Sequence, residues 1–322
     1  MVKCGIIGCG VIAPTHIEGF QQLDNAEVVH LCDLIPERMN TLGDKYGIAR
    51  RSQDYHDLLA DPEVDLVSVC TDHASHAGIV RDVLNAGKHV ICEKSAARVI
   101  DDIPVMLNAV KAHPELVSSG IFQHRFETHN QVLRDMLNSG TFGKLLAANL
   151  NFCCRRTAEY YIKDAWRGTL AGEGGGILIN QAIHHLDQLR FLFGDIAAIT
   201  AKVANLTHQG VIEVEDTAVI SAKTQNGGFS FFATNTCHRN MPVEITIYAD
   251  GNTVKLLPDM AIINGEVTRF KKTIALGKAC YGSSHAIVIR KFYECVEKGE
   301  HFPIDGKAGA TVVRSILNCY KK

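Results

Sequence analysis

The chain has 322 residues, enough for two domains with substantial cores. At 46% hydrophobic and 21% charged it excludes a largely disordered protein, and 33 Lys plus Arg against 35 Asp plus Glu, with no basic block, argue against nucleic acid as a partner. Eleven cysteines spread from Cys4 to Cys319, without a CxxC pair or a Cys/His cluster at zinc-ligand spacing, predict reduced thiols in a cytoplasm and no metal site.

The opening MVKCGIIGCGVIAP is apolar enough to imitate a secretory leader, but glycines interrupt it and neither a small-residue cleavage site nor a longer apolar run follows. It reads as a buried strand and its turn, with no membrane segment. Short apolar runs then alternate with helical stretches: VKCGII, AEVVHLCD, VDLVSVCT, KHVICEK and LVSSGIF. Near-continuous hydrophobicity in such runs predicts parallel strands covered on both faces, and the alternation predicts βαβ units. A Rossmann domain over residues 1–121 is the expected organisation.

Two features of this domain carry chemistry. GCGVIA follows the first strand and opens a helix, so Gly8 permits the tight turn, Gly10 lets backbone approach a pyrophosphate, and Ala13 lets the helix sit close to the sheet. Val11 and Ile12 lie between them at the helix N-terminus, where N–H groups and the helix dipole favour phosphate. Asp33 ends the second strand 20 residues beyond Ala13, where a carboxylate accepts from adenosine ribose hydroxyls and repels a 2′-phosphate. NAD is therefore favoured, while Arg38 close by leaves NADP open. The second feature is HVICEKSA, which places Glu93 and Lys94 at the carboxyl edge of a strand, where ligands bind in open α/β sheets.

The style changes near residue 122, and residues 122–322 read as a second, α+β domain. A helix over Glu127–Asn138 precedes a long strand from Lys144 to about Arg156, a loop, and a helix entered through Gly174, Gly175 and Gly176 and running to Gly194. Hairpin signals follow at Asn226–Gly228, Asp250–Asn252 and Asn264–Gly265, then helices over Ser284–Lys298 and Gly306–Tyr320. The expected sheet is large, mostly antiparallel and open on one face, a surface suited to a partner subunit.

The helix after the three glycines is polar in an unusual way. At about 100° per residue, Leu178, Ala182, Leu186, Leu189 and Phe193 form an apolar stripe, while Asn180, His184 and Asp187 fall within about 60° of one another. His185 lies off that face and reads as structural or superficial. The glycines suit a ligand passing near backbone. In the loop from Cys153 to Trp166, Arg155, Arg156, Tyr160 and Tyr161 could face a phosphate, a carboxylate or only water, and read more readily as a surface feature than as a nucleotide clamp.

Together these motifs resemble the Gfo/Idh/MocA oxidoreductases: GxGxxA and its acid, EK at the strand end, GGG with a polar residue four before His, and also TDHASHAGIV, WRG, HHLDQLRFLFG, EDTAVISA and the closing SHAIVIRKFYECVEKGEHFPIDG. The resemblance covers essentially the whole chain. It implies NAD(P)-linked oxidation of a secondary alcohol in a sugar, polyol or derivative, with Lys94 and His184 catalytic. It implies substrate contacts from Asn180, Arg167 and His285, the last reading equally as a helix cap. Cofactor contacts are implied for Thr71, His76, Glu93 and Lys94 besides the glycine-rich turn, Asp33 and Arg38. A homodimer or homotetramer through the C-terminal sheet is implied too.

Three positions depart from the family pattern: Ser95 replaces the usual Pro, Asn180 a frequent Asp, and Ala182 a common Gly. An amide exchanges no protons near neutral pH, so Asn180 orients a hydroxyl and His184 is left as the proton carrier of its face. The Asn180–Gln181 pair is similar to members acting on UDP-N-acetylhexosamine uronates, among others. Two further functions stay open, a glycosidase that oxidises its sugar transiently and a non-catalytic NAD- or sugar-binding regulator.

Overall fold

The computed structural model describes residues 1–270 and 284–320. The chain divides into two compact units. One comprises the described residues of Met1–Gln123 and Ile274–Thr311, the other those of His124–Thr273 and Val312–Lys322.

The first unit begins with β1 (Val2–Ile7), α1 (Ala13–Gln21), β2 (Ala26–Cys32), α2 (Pro36–Tyr46), β3 (Arg50–Ser52), α3 (Tyr55–Ala60), β4 (Leu66–Val69), α4 (His73–Asn85), β5 (His89–Cys92), α5 (Asp102–Ala112) and β6 (Ser118–Gly120). All of its strand pairs are parallel, in the order β3-β2-β1-β4-β5-β6. The order reverses between β1 and β4, the switch point at which ligands bind in such sheets. Every residue of β4 is buried, which explains its unbroken apolar run. Local chemistry sets the helix starts. Asp54 and Asp72 accept from the amides of His56 and Ala74 at 2.9 and 3.0 Å, capping α3 and α4. Pro36 occupies the first turn of α2, where its missing N–H costs nothing.

The second unit carries α6 (Thr128–Asn138), β7 (Leu145–Cys153), α7 (Ala158–Ile162), α8 (Ile177–Asn180), α9 (Ile183–Phe193), β8 (Ile196–Ala204), β9 (Thr217–Thr224), β10 (Gly227–Thr234), β11 (Glu244–Ala249), β12 (Asn252–Leu257), β13 (Met260–Ile263) and β14 (Glu266–Arg269). They form an eight-stranded sheet, β14-β13-β12-β11-β7-β10-β9-β8, antiparallel except where β7 lies parallel to β10. Asn264 and Gly265 both have positive φ, 51° and 95°, as a two-residue hairpin turn of the right twist requires. β9 alternates buried and exposed positions, so one face is covered and the other open. α8 and α9 lie against the covered face at β9 and β10.

Two helices close the described chain, α10 (His285–Lys298) and α11 (Gly306–Cys319). α10 returns to the first unit and packs on α1. The contact is close because Gly19 faces Ile289, whose Cδ1 would lie 2.5 Å from a β-carbon at that position.

Candidate active site

The carboxyl ends of β1, β2 and β4 build a cradle in the first unit. Gly8 has φ of +94°, and a β-carbon there would lie 2.7 Å from the Cys70 carbonyl, so only glycine fits. Gly10 is the opposite case. A β-carbon on it would meet nothing within 4 Å, which is the open approach a pyrophosphate needs. Val11 is 44% exposed and Ala13 fully buried, so the turn presents backbone outward while the helix presses on the sheet. Ile12, at the N-cap of α1, gives its first-turn amides no side-chain acceptor. Within that turn Ala13 N donates to Gly10 O and Thr15 N to Ile12 O, and Pro14 has no N–H, so an anion would turn to the backbone of the preceding glycine turn, Gly10–Ile12.

Asp33 is fixed at the edge of this cradle. Its Oδ2 accepts from Cys9 N at 2.6 Å and its Oδ1 from Ile35 N at 2.8 Å. A carboxylate has about four lone-pair sites, so two remain for ribose hydroxyls. Arg38 lies exposed in the first turn of α2. These residues fit an adenosine dinucleotide.

At the end of β5, Glu93 is buried and its two oxygens are occupied. Oε1 lies 3.0 Å from His16 Nε2 and 3.5 Å from His285 Nε2, while Oε2 accepts from Lys94 N at 3.2 Å. The other nitrogen of His16 lies 2.7 Å from Ser68 Oγ. Burial alone would raise the Glu93 carboxyl, but hydrogen bonds from His16 and His285 outweigh it and hold the group well below its ordinary value. Thus His285, expected at the substrate, sits buried against Glu93. Glu93 in turn anchors the backbone of Lys94, whose peptide bond to Ser95 is cis and whose side chain is half-buried.

His76 is also enclosed. Its ring bridges Ser95 O at 2.7 Å and Thr71 O at 3.1 Å, joining the segments that follow β4 and β5. It braces the expected cofactor contacts from behind, and burial lowers its pKa. Thr71 is half-buried and accepts from Ser75 Oγ at 2.7 Å.

In the second unit the segment expected as one helix breaks at Gln181 and Ala182, between α8 and α9. The regular rotation assumed for its polar face does not carry across. Asp187 lies inside, its Oδ2 accepting from Arg125 Nε at 2.6 Å. Two of the three glycines are demanded by packing. A β-carbon on Gly176 would fall 1.9 Å from Glu215 O, and one on Gly175 would fall 2.4 Å from the Tyr320 hydroxyl. The Glu215 carboxylate completes this seam by accepting from Gly176 N and Leu178 N at 2.9 and 3.0 Å.

Asn180 and Arg167, expected near a substrate, meet at the Tyr160 hydroxyl. Asn180 Nδ2 and Gln181 Nε2 each lie 3.3 Å from it, and Arg167 Nη1 donates to it. The Arg167 guanidinium also stacks 4.4 Å from the Tyr160 ring centre and 4.7 Å from that of Trp166, with Asp164 accepting from its Nε at 2.9 Å. Asn180 additionally donates to the fully buried Glu173, and Asn235 binds the Tyr161 hydroxyl at 2.8 Å. Tyr160, Gln181, Glu173 and Asn235 belong to this polar wall, although the loop sequence left Tyr160 ambiguous and gave no signal for the other contacts.

His184 opens α9, half-buried, with its ring edge-on to His124 at 5.7 Å between centres. His185 is buried, stacked on His124 at 4.8 Å and bound to Gln188 at 3.1 Å, a structural role. Burial first, and then the charge of His124, depress it to about 3. Among the described residues no cluster of three or more His, Cys, Asp or Glu is placed to hold a metal, all ten cysteines are free, and no helix is long and apolar enough to cross a membrane.

Comparison with known proteins agrees with this architecture. Residues 2–121 match the family model described as oxidoreductase family, NAD-binding Rossmann fold, and residues 130–255 match the GFO/IDH/MocA C-terminal domain. Over 232 residues the chain is 28% identical to myo-inositol 2-dehydrogenase of Thermotoga maritima, covering 70% of this chain and 66% of that one. Over the same length it is 29% identical to D-apiose dehydrogenase of Rhizobium rhizogenes, covering 71% and 64%. The match thus spans just under two thirds of these relatives. The WlbA dehydrogenase of Bordetella pertussis, solved with NADH and UDP-GlcNAcA, superposes with a TM-score of 0.86 at 26% identity over 99% of this chain and 95% of that one. With residues 2–121 and 130–255 matched by models of the same family, the chain belongs to the GFO/IDH/MocA oxidoreductases.

Proposed function

We propose that this protein oxidises a secondary alcohol of a sugar, polyol or sugar derivative with NAD as hydride acceptor. The observation that carries the reading is the polar wall in which Asn180, Gln181 and Arg167 converge on the Tyr160 hydroxyl, in the unit that also carries His184, in a chain whose other unit holds a dinucleotide cradle. The named activities of the family members above, on myo-inositol and D-apiose, support the same substrate class.

NAD when bound supplies the hydride-accepting ring; the chain's own residues do the rest. Gly8, Gly10, Val11, Ile12 and Ala13 hold the pyrophosphate on backbone amides, and Asp33 holds the ribose and disfavours a 2′-phosphate, with Arg38 leaving some use of NADP. His184 accepts the hydroxyl proton, and the ammonium of Lys94 stabilises negative charge growing on the substrate. Asn180 exchanges no protons and orients a neighbouring hydroxyl. Arg167 is charge-paired with Asp164, so it acts on the substrate mainly by holding Tyr160.

The open face of the large sheet carries Val219, Tyr248 and Val267 at 52%, 46% and 56% exposure, a surface that supports assembly into a homodimer or homotetramer. Free thiols support a cytoplasmic location.

The test is NADH formation, followed by absorbance, with a panel of polyols, aldoses and sugar nucleotides. Substrate-dependent reduction of NAD is expected. Cleavage of a chromogenic glycoside without net NADH would replace this reading with a transient-oxidation glycosidase. Saturable ligand and NAD binding without either reaction would replace it with a regulator.

A further inference from the structure

The second unit holds a histidine that the scheme above does not use. His124 is the second residue of the short 3-10 turn Gln123–Phe126 and is held on three sides. Its Nδ1 lies 2.9 Å from Glu127 Oε1, its face stacks on His185 at 4.8 Å with a 15° tilt, and its edge meets His184 at 5.7 Å and 83°. Asn130 fixes the backbone by donating to His124 O at 2.8 Å, and Gln188 ties Asn130 to α9 at 2.8 Å. This is a ring with a defined place, not a surface side chain. His124 and Glu127 have side chains only 13% and 12% exposed.

The charges around it fall into two sets. From α6 and the turn come Glu127, which accepts from His124, His129, which lies 3.3 Å from Glu127, and Arg125. From α9 come His184, His185 and Asp187, the last paired with Arg125 yet still adding to the pull that raises His124. The immediate anion of His124 is thus Glu127, a bond that favours the imidazolium. Burial opposes that charge, yet the attraction and hydrogen bond of Glu127 prevail, and His124 titrates above an ordinary histidine. On the neighbouring His185 the lowering effect of His124 exceeds the raising effect of Glu127. At His185, whose ring stacks on His124, a charge on His124 thus acts in the same direction as burial.

We infer that His124 is a positioning and electrostatic partner of His184, fixing its ring edge-on and keeping it neutral, and so able to accept a proton, to lower pH than an isolated histidine. The inference rests on the reading of His184 as proton acceptor for its kinetic consequence, but not for the coupling itself. A unit charge about 5.7 Å away at an effective dielectric near 20–40, partly countered by Glu127, shifts a neighbouring titration by roughly one pH unit.

The test is a paired measurement on the full chain, using His124→Gln, which keeps a donor toward Glu127 and removes the charge, with His124→Asn as a second variant should the first not fold. The pKa of His184 is read by NMR of histidine-labelled protein, with the resonance assigned by its loss in His184→Asn. The pH profile of kcat/KM is recorded on the same samples. The expected result is a His184 titration raised by about one unit and an acid limb of kcat/KM moved up equally. A His184 titration unchanged within about 0.2 unit in a folded variant overturns the inference. Full activity of His184→Asn would sink the proton-acceptor reading, while the NMR shift would still decide whether the two rings are coupled.

Discussion

Replacing Glu93 with Gln changes one atom type at the point where three side chains and a backbone amide converge. Three donors point at the carboxylate: His16 Nε2, His285 Nε2 and Lys94 N. An amide accepts through one oxygen only, so either the Lys94 N–H or the histidine pair then faces an NH2 group. Hydrogen bonds to a charged acceptor contribute about 1.5–3 kcal/mol against about 0.5–1.5 for neutral pairs, and a buried donor left unpaired costs about 1–3 kcal/mol more. Relief from burying a charge offsets part of this, leaving a net loss of about 2 kcal/mol, or roughly 4–8 °C in Tm for a unit of this size. The parent's dependence on pH carries a second signature. The Glu93 carboxyl is depressed in the folded state, so its contribution is complete above the unfolded value near 4.5 and fades as pH falls toward the lower folded value. Glu93→Gln removes that component. Melting curves for both proteins between pH 8 and pH 3.5 should therefore be well separated near neutrality and converge in acid. With Lys94 no longer anchored, kcat should fall while NADH affinity, measured by fluorescence, changes less. Equal Tm values at pH 7.5, or a gap that widens in acid, would refute the ledger of three charged bonds.

The remaining predictions are independent of that network. Asp33→Ala should relax the preference for NAD over NADP by about tenfold, about 1.4 kcal/mol, and an unchanged ratio of kcat/KM values would remove Asp33 from the ribose. Gly176→Ala places a methyl group against Glu215 O, so a loss of about 3 kcal/mol is expected in urea melts, and a neutral result would show that the seam yields. Tyr160→Phe removes the acceptor shared by Arg167, Asn180 and Gln181. Its KM for the alcohol should rise about tenfold with NADH affinity intact, and an unaltered KM would detach this wall from the substrate.

The parallel sheet and its cradle were legible because each motif rests on local rules. Gly8 is demanded by its own φ, Asp33 by its place at a strand end, and buried parallel strands by unbroken apolar runs. Hairpins such as Asn264–Gly265 were legible for the same reason. What escaped is non-local. A helical pattern over Ser284–Lys298 does not disclose that His285 faces Glu93, 192 positions earlier in the chain. Periodicity across Asn180–Asp187 assumes unbroken rotation, and the break at Gln181–Ala182 leaves Asp187 paired with Arg125 instead of facing the same way as Asn180. The glycine run signalled a close approach, which Glu215 makes at Gly176 and Tyr320 at Gly175, partners that lie far away in sequence. His124 gave no signal because its meaning comes from the rings around it.

The most direct test of the chemistry assigned to Lys94 and His184 is the rate of hydride transfer in single-turnover NADH formation, measured for Lys94→Met and His184→Asn with a substrate found in the panel. Each substitution should lower that rate by roughly 10²–10⁴-fold while NADH binds within about threefold of the parent. Turnover near the parental rate in both variants, with cofactor still bound, would contradict the account.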